Sequence, residues 1–180
     1  NYEVSRLQQL STKVQELWDE HTKALARDRA RTEDALDVWP HKQQQDDHAT
    51  ITRAQKEAIR RQGLLNEDGD LATPFRRLKL VMDYWCALWF WPISAALELP
   101  ERDEWLTDLE HLLLGDTIAT ERPGQQNQLF ASTNPEEGKR FVNKYGVVNF
   151  KTLFATFPRL EQADSIARQR RFFHWELAYA

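Results

Sequence analysis

Hydrophobic positions recur at helical spacing through most of the chain. Leu78, Val81, Met82, Trp85, Leu88 and Trp89 follow the three-and-four spacing of one helix face. Leu80, Tyr84, Ala87 and Trp91 cover much of the opposite face. This pattern predicts a helix over residues 75–90 that is apolar nearly all round, so other helices should pack on more than one of its sides. Thr73 supplies a capping hydroxyl ahead of Pro74 in the first turn, and Pro92 should end or kink the helix near Phe90. A shorter helix, Ile93 to Leu97, follows. The stretch is not a membrane span, because Asp83 and Pro92 interrupt it and Arg76, Arg77 and Lys79 precede it.

Toward the N-terminus, Leu7, Leu10, Val14, Leu17, His21 and Ala24 form a short heptad seam on a helix from about Tyr2 to Ala30. Arg6, Lys13, Glu16, Asp19, Glu20 and Lys23 occupy its other faces. Thr32 is placed to cap a second helix carrying Ala35, Leu36, Val38 and Trp39. This reads as an antiparallel hairpin, with a dimerising coiled coil as the alternative. Helices are also predicted over 51–62 (stopped by Gly63), 102–114 (stopped by Gly115), 134–144, 149–156 and 158–170, with a surface loop or a solvated helix face at 41–47 and a loop at 116–133. The tail FFHWELAY, 172–179, has the aromatic composition of a strand. The expected fold is all-α, an irregular helical bundle with a single C-terminal strand. Its expected units are an N-terminal hairpin and linker helix over 1–62, a core over 73–171, and at 172–180 the start of a strand truncated from a larger catalytic domain.

Composition narrows the function. Hydrophobic residues make up 41% and charged residues 29%, so a sizeable core must carry a strongly charged surface. A net charge of −4 argues against a general DNA binder and leaves room only for local basic patches. A single Cys excludes an internal disulfide, and the first residues lack the apolar segment of a signal peptide, which together point to the cytoplasm. The chain opens at Asn1 rather than Met, which reads as an excised piece of something longer.

Active-site patterns are missing. The six glycines are isolated, so no phosphate loop is present, and no Ser stands between spaced glycines. His41, Asp46, Asp47 and His48 lack the spacing of a metal site, and NEDGD at 66–70 lacks the ligands of a calcium loop. Cys86, in mid-helix, reads as an inert small hydrophobe. Asp83, on a strongly apolar helix, calls for a basic partner such as Arg76 or Lys79.

Two stretches carry a resemblance: LKLVMDYWCALWFWP (78–92) and RQRRFFHWELAYA (168–180). Together they resemble segments of the large adenine-specific DNA methyltransferases of type IIG restriction–modification and phage-defence (BREX- and DISARM-like) systems. In that family a D-x-W-C-A-x-W-F-W-P segment sits in a helical region, and a segment like RFFHWELEFPEVF comes shortly before the strand and loop that hold the flipped adenine. Phe172 to Leu177 match the second signature closely, whereas Ala178-Tyr179-Ala180 depart from its acidic, proline-containing continuation. Residues 1–71 match only in general helical character. The resemblance implies a parent enzyme that moves a methyl group from S-adenosylmethionine to adenine in DNA. It carries no catalytic, cofactor-binding or metal residue onto this chain. Asn134-Pro135 is followed by Glu136 and Glu137, and so reads as a helix cap rather than as the catalytic loop.

The implied role is a non-catalytic helical module that braces the catalytic domain and positions DNA. Its partners are the remainder of the parent enzyme and, through it, DNA; a homodimer through the heptad seam is the alternative, and no membrane is involved. Candidate backbone contacts are Arg76, Arg77 and Lys79; Lys139, Arg140 and Lys144; and Arg168, Arg170 and Arg171. An ordinary solvated face is the competing reading of each cluster.

Overall fold

The computed structural model describes residues 2–33, 51–62, 72–115 and 148–180. The expected second hairpin helix after Thr32, the segments 41–47 and 116–133, the NEDGD turn and the 134–144 helix lie outside them. Of the described residues 83% are helical and none forms a strand, so the fold is all-α.

The helices are α1 (Tyr2–Thr32), α2 (Arg53–Gln62), α3 (Pro74–Ala87), α4 (Arg102–Leu114), α5 (Phe150–Thr156), α6 (Pro158–Arg170) and α7 (Trp175–Ala178). Short 3₁₀ turns at Leu88–Phe90 and Ile93–Glu98 join α3 to α4. Helix α3 is central and packs on α1, α4, α6 and α7. Its start follows from local chemistry: the Thr73 hydroxyl accepts from the Arg76 N–H at 3.3 Å, with Pro74 in the first turn. Trp91 is extended, as a residue before proline should be. Helix α4 opens with a reciprocal cap between Glu101 and Glu104 and closes on Gly115, whose φ of 78° is a left-handed stop. Asn149 caps α5 and Pro158 opens α6.

One cluster of buried side chains joins Leu10 and Leu17 of α1, Leu78, Leu80 and Tyr84 of α3, Leu109 and Leu112 of α4, Leu160 and Ile166 of α6, and Leu177 of α7. Burying this apolar surface is the main drive to fold.

Three expectations change in direction. On α3 the face buried deepest is Leu80, Tyr84 and Ala87, while Trp85, and Trp89 in the 3₁₀ turn that follows, are 54% and 78% exposed. On α1 the buried stripe is Arg6, Leu10, Leu17, His21 and Leu25, whereas Leu7 is exposed. That stripe packs within the chain, against α3 and α4. Arg6, expected on a face away from the seam, reaches α4 and donates to Glu110, Thr107 and Asp103.

The tail is the third. Instead of a strand it forms the helical turn α7, in which Leu177 is buried and the Ala178 and Tyr179 N–H groups donate to the His174 and Trp175 carbonyls. His21 Nε2 lies 3.0 Å from the Leu177 carbonyl, and Arg29 donates to the Ala180 carbonyl at 2.8 Å. Phe172 N–H donates to the Ala167 carbonyl at 3.0 Å, just after Arg171 turns left-handed at φ 56°.

Candidate nucleic-acid interface

Asp83 sits one turn after Lys79 on α3, so the two share a helix face. Its carboxylate is 1% exposed, and an unpaired charge there would be strongly disfavoured. Both oxygens are engaged: Lys79 Nζ lies 2.7 Å from Oδ2, and His174 Nε2 lies 2.7 Å from Oδ1. The expected pairing of Asp83 with Lys79 therefore holds, and His174 is a partner that spacing along the chain could not reveal.

Beside this triad lies a cleft between α3, α5 and α6, lined by Arg76, Lys79, Leu80, Asp83, Phe150, Phe154, Asp164 and Arg168. Arg76 lays its guanidinium over the Phe150 ring, 4.6 Å from the centroid, a geometry that orients the cation. Arg168 Nε pairs with Asp164 Oδ2 at 2.8 Å, one turn earlier on α6. Two of the three cations that line the cleft are thus matched by carboxylates, Lys79 by Asp83 and Arg168 by Asp164.

The remaining basic candidates separate. Arg77 is buried: its Nε donates to the Leu112 carbonyl at 3.1 Å and its Nη2 to the Leu113 carbonyl. It caps the C-terminus of α4, where a cation complements the helix dipole, and is therefore not a surface contact. Burial also pulls its pKa below the usual arginine value. Arg170 packs over Phe90, 5.5 Å from the ring centroid, and Arg171 is exposed at the end of α6. Lys139, Arg140 and Lys144 lie outside the described residues.

A second polar cluster, unforeseen from the sequence, ties α3, α4 and α6 together. Tyr84 donates to Asp108 Oδ2 at 2.7 Å. Arg159 bridges Asp108, with Nε–Oδ2 of 3.1 Å, and Glu104, with Nη1–Oε1 of 2.8 Å. Burial raises the Asp108 carboxyl above the ordinary range, outweighing the bonds from Tyr84 and Arg159. The Tyr84 hydroxyl is raised by burial and by the Asp108 charge. Burial opposes the charge on Arg159, yet its bonds to Glu104 and Asp108 raise its pKa overall. The one available signal was Asp108 and Glu110 standing within the leucine-rich run of α4.

Cys86 is half-buried, and burial, with the nearby Asp83 charge, pushes its thiol pKa up. Among the described residues no group of three or more His, Cys, Asp or Glu side chains is placed to hold a metal. No described helix is long and apolar enough to cross a membrane. Comparison with protein-family models, with curated proteins and with solved structures returns no match.

Proposed function

We propose that the chain is a non-catalytic helical module of a site-specific adenine DNA methyltransferase dependent on S-adenosylmethionine, acting in the cytoplasm in restriction–modification or phage defence. In this reading it braces the catalytic domain and positions DNA. The observation that carries it is the meeting of the two stretches on which the resemblance rests: Asp83 of the first pairs with His174 of the second at 2.7 Å. Two signatures chosen from separate parts of the sequence thus share one part-buried side-chain hydrogen bond, which is what a single bracing element requires. The cleft beside that contact presents Arg76, Lys79 and Arg168, three of the expected backbone contacts, on one side of the molecule.

The reading predicts that labelled S-adenosylmethionine transfers no methyl group to duplex DNA when incubated with this chain alone. The larger protein that carries the segment should methylate adenine, and Asp83→Ala should lower that activity by loosening the brace. Methyl transfer by the isolated chain, or none by the larger protein, contradicts it.

A further inference from the structure

We infer that the segment joining α3 to α4 is a self-association surface whose partner is a second copy of this chain. The inference is independent of the DNA-positioning reading. The segment 88–100, LWFWPISAALELP, carries one charged side chain, Glu98. Its apolar side chains divide into two sets. Leu88 and Trp91 pack against the core, and the Trp91 Nε1–H donates to the Ala95 carbonyl at 3.1 Å. The others, Trp89, Phe90, Ile93, Leu97 and Leu99, are exposed, as is Trp85 one turn earlier on α3. Ile93 is 94% exposed and Leu97 fully so. These six side chains leave on the order of 800 Å² of apolar surface in water. An ordinary monomer shows at most about 300–600 Å² in one patch. A stable dimer buries about 800 Å² on each partner, so the surface is large enough for one.

The segment is ordered before any partner arrives. The Ala95 N–H donates to the Pro92 carbonyl at 3.0 Å and the Leu99 N–H to the Ala96 carbonyl at 3.3 Å. Docking a surface that is already fixed costs little ordering entropy. Chemistry selects the occupant. Hydrophobic attraction carries no sign, so an almost uncharged surface is complementary to its own copy. About a two-fold axis each residue meets its counterpart or a neighbour of it, and the contact closes at two copies. Tryptophan and phenylalanine with little charge are also the composition of an interface core. A membrane surface fits less well, because segments that lie on anionic lipid bring Lys and Arg beside their apolar side. Here Glu98, Glu101, Asp103 and Glu104 stand nearest in sequence, with Arg102 alone among them. The heptad seam of α1 is taken up inside the chain by α3 and α4, so a dimer must form elsewhere.

The test is sedimentation velocity on the 180-residue chain from about 1 μM upward, the weak end of what interfaces of this size give. The fitted mass should rise with concentration and level off at two copies. Ile93→Asp and Leu97→Asp alter exposed positions, where substitutions rarely disturb folding, and circular dichroism checks that each variant is folded. Each should weaken dimerisation at least about ten-fold, because both copies bring the same charge to the contact. Leu7→Asp, on the exposed flank of α1, should leave the dimer unchanged. A folded chain that stays monomeric throughout the series overturns the proposal. Dimerisation that ignores both segment variants, or that Leu7→Asp abolishes, overturns the choice of surface. A mass that climbs past two copies overturns the closed two-fold contact. A monomer that instead co-sediments with phosphatidylcholine–phosphatidylserine vesicles, and no longer does so as Leu97→Asp, overturns the choice of partner.

Discussion

His174 Nε2 lies 2.7 Å from Asp83 Oδ1 across 91 residues of sequence, and Lys79 takes the other oxygen of the same buried carboxylate. The contact ties the tail to the central helix beside the cleft between α3, α5 and α6. A buried carboxylate with two partners is satisfied; removing it leaves both partners desolvated and unpaired. Asp83→Ala should therefore destabilise the chain by about 3–5 kcal/mol in urea denaturation. A double-mutant cycle with His174→Ala should give a coupling of about 0.5–3 kcal/mol. Additive effects would show that the contact contributes nothing.

Arg77 separates stability from DNA contact. It satisfies carbonyls at the end of α4, so Arg77→Met should lower stability by about 1–3 kcal/mol by leaving buried acceptors unpaired. It should leave the DNA affinity of the folded fraction unchanged, apart from the loss of one remote charge. Lysine at this position should rescue poorly, because it lacks the planar fork. Thermal melts and anisotropy on the same variants check both halves.

Arg6 and Glu110 form a pair buried on both sides between α1 and α4. Glu110→Gln leaves a buried guanidinium without its full counter-charge and should destabilise by about 3–5 kcal/mol. Replacing both residues with apolar ones of similar size should recover most of that loss, which denaturant titration of the three variants would measure.

How much of this was legible in the sequence depends on the range of the physics involved. Helix starts and stops are local, and Thr73-Pro74, Gly115, Asn149 and Pro158 mark them in advance. Facing is not local. A helix apolar all round offers no periodic direction, so the exposed Trp85 and Trp89 could not be told from the buried Leu80 and Tyr84. Arg6 lies inside because Glu110, Thr107 and Asp103, about 100 residues away in sequence, receive its donors. The tail has strand composition, yet His21 and the burial of Leu177 draw it into a helical turn. For the candidate site, the sequence supplied the basic residues but not the division that puts Arg77 inside and leaves Arg76, Lys79 and Arg168 on one cleft.

Acid should reveal the α4–α6 bridge. The Glu104 pKa lies below its ordinary 4.5, held there by the Glu101 N–H and by Arg159. A depressed carboxyl stabilises the fold above its unfolded pKa, and that contribution is lost as pH falls through the folded value. The raised Asp108 carboxyl works in the opposite sense, its contribution fading as pH rises through its folded pKa. Glu104→Gln should therefore flatten the fall in stability below about pH 4.5, and Asp108→Asn should not. Melting temperatures across an acidic pH series read the difference.

Cys86 should alkylate slowly. Its raised pKa leaves less thiolate at neutral pH than an ordinary thiol of 9.0, so the rate with iodoacetamide should fall below that of a free cysteine and its pH profile should shift to alkaline values. Fast modification at neutral pH in the folded chain would contradict the burial assigned to it.

The most direct measurement is the salt dependence of duplex binding by the wild-type chain. A DNA-positioning module whose contacts are phosphates should bind at low ionic strength and lose affinity along a straight line in log salt, with a slope that reports a few phosphates. Binding that falls in this way supports the account. A folded chain that shows no affinity for the duplex at low salt, or an affinity indifferent to salt, contradicts it.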